Sequence, residues 1–248
     1  MPVFVRDEYI NKKVRFGHWK DTAIKIEGDA VQSFTMMFLQ MWNITERQPE
    51  DYAKYLTEKQ PGFSRKDGYI IPYGDSPFDH ENVGEEVYFH ILNHAKKYVH
   101  IMTPYLILDN EMIDALTRAA KGGIEVQIIM PHIPDKPYAF YLAKTYYEEL
   151  IAGGVEIYEY TPGFVHAKVF TSDDDTATVG SINLDYRSLY LPSERVLPAL
   201  IFSIPQKCVI RFNTNEIRII YIAILTVCFT AEINEPSSQR QCSSSHTI

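Results

Sequence analysis

The chain predicts an α/β fold on a mixed sheet, and three observations carry that expectation. From Tyr98 to Tyr160, short apolar runs alternate with helix-like segments, the rhythm of strands and helices layered in one domain. Two of the helical segments stop at glycine pairs, Gly122–Gly123 and Gly153–Gly154, and glycine is the residue that most readily ends a helix. HAKVF (166–170) and TATVG (176–180) are separated only by the acidic turn TSDDD. No helix fits between them, so they should form an antiparallel hairpin inside an otherwise parallel arrangement.

The elements follow in order. Residues 18 to 27, HWKDTAIKIE, alternate apolar and polar side chains and predict a strand that Gly28 breaks. Asp29 is placed to cap a helix through AVQSFTMMFLQMW to about Asn43. Phe34, Met37, Phe38, Met41 and Trp42 form its apolar stripe, which core packing explains better than a lipid-facing surface. Residues 46 to 68 are polar and turn-rich and predict a loop with one helical turn. GYIIPY is a short strand. A helix from about Glu81 to Lys97 places Val83, Val87, Ile91 and Ala95 on one face. YVHIMT, IEVQIIM and VEIYEY are strands, and NEMIDALTRAAK and AFYLAKTYYEELIA are the helices between them. After Leu191 the text loses any clear period. The polar tail from about residue 236 is expected to be disordered.

Composition narrows the partners. The chain has 248 residues and a net charge of -8. Phosphate neutralisation by basic side chains supplies most nucleic-acid affinity, so this acidity argues against a nucleic-acid partner. Cys208, Cys228 and Cys242 are odd in number and fit no zinc spacing. No pair among His18, His80, His90, His94, His100 and His132 has convincing metal spacing, so neither a metal nor another cofactor is expected. The N-terminus lacks the layout of a signal peptide. The most apolar late run, residues 217 to 229, is interrupted by Arg218 and falls short of the roughly twenty residues of a spanning helix.

The chemistry is concentrated in VHAKVFTSDDDTATVGSIN, residues 165 to 183. His166, Lys168, Asp173, Gly180, Ser181 and Asn183 stand in the spacing H-x-K-x4-D-x6-G-S-x-N. Six fixed residues would arise by chance in such a chain only a few times in about a million, taking each type at roughly one in twenty. A histidine can attack phosphorus or carry a proton near neutral pH. A lysine two residues on, on the same strand face, would neutralise phosphoryl oxygens. Gly180 would let the backbone come close, and Ser181 and Asn183 can donate hydrogen bonds to the same oxygens. The spacing selects Asp173 from the run Asp173–Asp175, where a loop-supporting role also fits.

This pattern resembles the HKD signature of the phospholipase D superfamily. The segments IKIEGDAVQSF, TPYLILDNEM, MPHIPDKPYAF, YEYTPGFVHAKVF and VGSINLDYRSLYL look like bacterial cardiolipin synthase of that type, over about residues 7 to 191. The resemblance implies an α-β-α sandwich and a phosphatidyltransferase that joins two phosphatidylglycerols into cardiolipin, with release of glycerol, through a phosphohistidine. In that family two HKD motifs share one site. One histidine is the nucleophile and the other the general acid and base, the role implied for His166. An acid eleven residues after the motif's Asn orients an imidazole, and Glu194 falls there.

Asp7 to Asn11 match a segment that in the family follows the first motif, and the chain holds no second H-x-K-x4-D. Residues 1–66 are therefore expected to be the remnant of a first phospholipase D-like half with its linker. Residues 67–191 would be the second such domain and 192–248 an atypical segment, from a partial or frame-disrupted gene product. The expected partners are phosphatidylglycerol, a membrane surface, and a second HKD half from a missing N-terminal half or a homodimer. The resemblance implies residence at the bacterial cell membrane without a transmembrane segment in this chain. A single-motif phosphodiesterase or nuclease active as a homodimer, and an inactive phosphate- or lipid-binding fragment, remain the competing readings.

Overall fold

Alternating apolar residues between Tyr98 and Gly180 build one sheet whose two faces are both covered. The computed structural model describes residues 7–26, 30–45, 51–56, 70–75, 81–190, 197–203 and 227–229. In chain order these hold β1 (His18–Lys20), β2 (Ile24–Ile26), α1 (Ala30–Thr45), a 3-10 turn (Tyr52–Lys54), β3 (Ile70–Asp75), α2 (Val83–His94), β4 (Tyr98–Met102) and β5 (Leu106–Ile107). There follow α3 (Asn110–Lys121), β6 (Glu125–Pro131), α4 (Pro137–Ala152), β7 (Glu156–Tyr160), β8 (Gly163–Val165), β9 (Val169–Ser172) and β10 (Thr176–Gly180). The last are β11 (Leu184–Asp185), α5 (Tyr186–Tyr190), β12 (Leu197–Ser203) and β13 (Val227–Phe229).

The main sheet has the order β3-β12-β10-β9-β4-β6-β7. β4, β6 and β7 run parallel, and β9, β10, β12 and β3 join antiparallel. The sheet is mixed, as predicted, and β9 and β10 form the expected hairpin. β12 shows that the chain beyond Leu191 supplies a strand between β10 and β3.

The two-residue period of a strand sends neighbouring side chains to opposite faces. Val99, Ile101, Val126, Ile128 and Phe170 enter a core with Ile91 and Leu92 of α2, Met112 and Leu116 of α3, and Ala143 and Leu150 of α4. Met102, Ile129, Val169, Ala177 and Val179 enter a second core, against which Ile24, Ile26 and Phe34 of the N-terminal segment pack. Helices thus flank both faces of the sheet. Burying each of the larger side chains contributes about 1.5–3 kcal/mol.

Four local expectations change. The strand expected over 18–27 is two strands, because residues 21–23 leave the extended ladder at Asp21. The helix expected to reach Lys97 ends at His94. The reason is long-range: Asp173 accepts the backbone N–H groups of Lys96, Lys97 and Tyr98 at 2.6, 2.9 and 3.0 Å, and those donors are lost to the helix. The stripe on α1 is only partly inward: Leu39 is buried and Phe34 packs on the second core, while Phe38 and Trp42 are exposed and stack on each other with centroids 5.9 Å apart. Finally, His166 and Lys168 precede β9 instead of lying within a strand. Gly28, Asp29 and the tail beyond residue 236 lie outside the described residues.

Candidate active site

The carboxyl ends of β4 and β6, the start of β9 and the end of β10 share one edge of the sheet. Open α/β sheets bind ligands at the carboxyl ends of their parallel strands. His166 and Lys168 stand in the connection from β8 to β9, and Gly180 N–H donates to the Lys168 carbonyl at 3.2 Å. That bond aligns the two arms of the motif. Asp173 is the exception. It closes the β9–β10 turn at the opposite edge, roughly 20 Å away at about 3.3 Å per residue. Its three backbone hydrogen bonds make it a structural brace, which corrects its candidacy as a catalytic group.

A second piece of chain completes the site from outside the motif. β1 runs parallel to β8, pairing His18 with Gly163 and Lys20 with Val165. The crossing is close. A β-carbon on Gly163 would lie 2.4 Å from both His18 N and O, and one on Gly17 would lie 2.4 Å from Pro162 O. Asn11, at φ 58°, holds β1 from its other side: its side chain accepts from Trp19 N–H at 2.7 Å and donates to Trp19 O at 3.1 Å. The His166 N–H then donates to the Lys20 carbonyl at 2.7 Å, which carries the chain end of β1 to the imidazole.

At that point Asp21 reaches His166. Its Oδ2 lies 2.8 Å from His166 Nδ1. Thr22 N–H donates to Oδ1 at 2.9 Å, and Trp19 Nε1–H donates to Oδ2 at 3.3 Å. Burial works to raise the Asp21 pKa, but the His166 hydrogen bond and the charges of His166 and Lys168 outweigh it, so the carboxyl sits below its ordinary value. An ionised carboxylate only accepts, so Nδ1 must carry a hydrogen. In the neutral ring the lone pair then falls on Nε2. Tyr9, Trp19 and Phe164 surround the imidazole with centroids 5.9, 5.1 and 6.0 Å from it and fix its plane. The His166 side chain keeps 35% of its surface exposed, so the edge remains open to a substrate.

Lys168 is the cation beside it, half-buried, with its Nζ donating to the His166 carbonyl. Burial lowers its pKa to about 8, against the opposing pull of Asp21, Asp135 and Asp185. Asn183 donates through Nδ2 to Ser188 Oγ at 3.1 Å, while its Oδ1 is buried without a hydrogen-bond partner. Glu194 lies outside the described residues. Among the described residues, no group of three or more His, Cys, Asp or Glu could hold a metal ion.

Sequence reasoning missed Asp21. A signal for it exists: Trp19 is out of phase with Ile24 and Ile26, odd against even, so one continuous strand could not present all three to one face.

Residues 88–199 match the family model described as cardiolipin synthase, PLD-like domain. A Streptococcus mutans protein, named only as uncharacterized, is 61% identical over 184 residues, covering 74% of this chain and 40% of the relative. Cardiolipin synthase 2 of Bacillus cereus is 37% identical over 190 residues, covering 77% of this chain and 37% of the relative. The chain thus spans about two fifths of the length of these relatives. The crystal structure of Nuc, a phospholipase D family member from Salmonella typhimurium, aligns with a TM-score of 0.45 at 18% identity over 56% of this chain and 86% of that one.

Proposed function

We propose that this chain, whose residues 88–199 form a PLD-like domain of the cardiolipin synthase family, supplies one half-site of a phosphatidyltransferase that condenses two phosphatidylglycerols into cardiolipin and glycerol. The single observation that carries this reading is the Asp21–His166 contact beside the Lys168 ammonium at one sheet edge. It provides an oriented imidazole and a cation, with no metal required for charge neutralisation.

The reaction divides between two imidazoles. The nucleophilic one, from a second motif, attacks phosphorus: a P–N bond forms and the P–O bond to glycerol breaks. His166, protonated on Nε2, gives that proton to the departing glycerol oxygen. It then takes the proton of the incoming phosphatidylglycerol hydroxyl, whose oxygen forms the new P–O bond as the P–N bond breaks. Lys168 balances charge on the non-bridging phosphoryl oxygens. Asn183 has a part here. Its Ser188 partner is a hydroxyl that can donate as well as accept, so turning the amide over keeps that contact and points NH2 where the unpartnered Oδ1 now stands. Gly180 allows the backbone to approach. The lipid substrate places the reaction at the cell membrane, although among the described residues no helix is long and apolar enough to cross it.

The test is to purify the chain, measure its mass in solution, and assay phosphatidylglycerol turnover and DNA cleavage for wild type and His166→Ala. Restoration of cardiolipin formation by a separately supplied first-motif half, lost in the variant, supports the proposal. Turnover that survives His166→Ala overturns it. Turnover by a dimer of this chain alone that the variant abolishes favours the homodimer instead.

A further inference from the structure

The second arm of the motif leaves the sheet before it reaches Asn183. Residues 181–183 lie between β10 and β11 and belong to neither strand, so no ladder holds the amide in place. Two hydroxyls from other elements tie this stretch instead. Tyr88, on α2, donates to the Ile182 carbonyl at 2.8 Å. Thr103, just beyond β4, accepts the Leu184 N–H at 3.2 Å and donates to the Tyr105 carbonyl at 2.9 Å. The neighbours of Asn183 on either side are thus each fastened by a side chain, from 94 and 81 positions away in sequence. Tyr88 and Thr103 are both buried, and Tyr88 shares the first core with Ile182 and Leu184.

Buried backbone groups need partners, and ties of this kind supply them. Tyr88 does more. Its ring also stacks on Phe170 of β9, with centroids 4.0 Å apart and planes within 7° of parallel. Phe170 stands two residues beyond Lys168 in the first arm. One ring therefore spans both arms, with its face on the strand that follows Lys168 and its hydroxyl on the residue before Asn183. Two contacts of different kinds, one to the ring face and one to the hydroxyl, fix a stiff side chain as a spacer. Thr103 fastens the other side of Asn183, so the amide cannot swing on either of its neighbours.

We propose that Tyr88, together with Thr103, is a positioning residue of the phosphoryl site, holding the Asn183 amide at the distance from Lys168 at which both reach the oxygens of one phosphoryl group. The inference rests on the phosphoryl-site reading above and goes beyond it by naming the residues that hold its two arms in register. Both act through the backbone of residues 182–184. Groups that act together on one ligand depend on placement, and a displacement of about 1 Å can cost about 10²-fold in rate.

The test is a titration of the chain with inorganic phosphate near neutral pH, with nitrogen-15 labelled histidine and asparagine. The His166 ring nitrogens and the Asn183 side-chain nitrogen report the two arms separately. Tyr88→Phe keeps the stack on Phe170 and removes only the hydroxyl. It is expected to weaken phosphate by about three- to tenfold and to diminish the Asn183 response, while the His166 tautomer ratio, set by Asp21, stays as in wild type. Thr103→Val should act in the same direction, and Thr103→Ser, which keeps a hydroxyl, should bind phosphate as wild type does. Leu150→Ala, a truncation of a buried side chain near the far end of α4, is the control for lost stability and should leave phosphate affinity unchanged when folded. Wild-type affinity with an intact Asn183 response in a folded Tyr88→Phe or Thr103→Val overturns the positioning role alone. So does a loss of affinity in Leu150→Ala as large as that in Tyr88→Phe, because lost stability would then account for both. Failure of phosphate to shift the His166 signals in the wild type overturns the phosphoryl-site reading and the positioning role with it.

Discussion

Asp21 and His166 are 145 residues apart in sequence and 2.8 Å apart in space, and the carboxylate of the first decides which nitrogen of the second carries hydrogen. The parallel pairing of β1 with β8 makes that contact possible. The motif therefore contains the reacting group but not the group that sets its tautomer.

Asp21→Asn keeps the shape and removes the charge. The amide can present NH2 to Nδ1, which favours the ring with hydrogen on Nε2. Loss of correctly placed acid–base help costs about 10²–10⁴ in rate. Nitrogen-15 shifts of His166 should show the Nε2–H tautomer gaining population, and phosphatidylglycerol turnover in the complete enzyme should fall by that order. An unchanged tautomer ratio with unchanged turnover would remove Asp21 from the site.

Lys168 gives two opposed pH effects. Below pH 8 it is charged in both folded and unfolded chains, and the burial cost is present in full. Between about 8 and the usual lysine value of 10.5 the folded chain has released a proton that the unfolded chain keeps, so this group's contribution to stability rises with pH. Phosphate binding runs the other way and declines as pH rises through 8. Lys168→Met should be more stable than wild type at neutral pH, with the gap narrowing toward pH 10. Denaturant melts at several pH values check this, and a gap independent of pH contradicts it.

Gly163→Ala drives a methyl group into the His18 backbone, where nothing flexible can yield. Overpacking of this kind costs about 1–3 kcal/mol. β1 should separate from β8, and the Asp21–His166 contact should loosen with it. A lowered thermal midpoint, with the His166 tautomer ratio moving as in Asp21→Asn, is the expected pair of results. A stable variant with an unaltered imidazole would show that the close crossing does not position the acid.

Asp173→Ala should cost stability and spare the site. Three backbone donors lose a charged acceptor, and alanine at φ 56° adds local strain, together about 2–4 kcal/mol. Urea denaturation measures the loss. Phosphate-induced shifts at His166 should be unchanged in the folded fraction, and a large change there would restore Asp173 to the chemistry.

The strands and helices from Tyr98 to Gly180 could be read from sequence because each face of the sheet has its own apolar cover. Alternation and helical spacing register that directly. The hairpin was readable from the shortness of TSDDD. Contacts made at long range were not. The end of α2 at His94 depends on a carboxylate that arrives from Asp173, 77 residues beyond Lys96. The exposure of Phe38 and Trp42 depends on which side of α1 meets the sheet, which an apolar stripe broader than one face does not specify. The spacing of the motif identified His166 and Lys168 as chemically active. It could not show that both stand ahead of β9, nor that a carboxylate from the far end of the chain reads the imidazole.

The crossing of β1 over β8 makes the site a joint of two segments. Consider a fragment beginning after residue 66. It would retain His166, Lys168, Gly180, Ser181 and Asn183, and any search by signature would count it as competent. It would nonetheless lack the anion that holds hydrogen on Nδ1 and leaves Nε2 to exchange a proton with the substrate oxygens. Supplying residues 7–26 as a separate peptide should therefore restore the tautomer, so the segment acts as an assembly-dependent key held apart from the lock it fits.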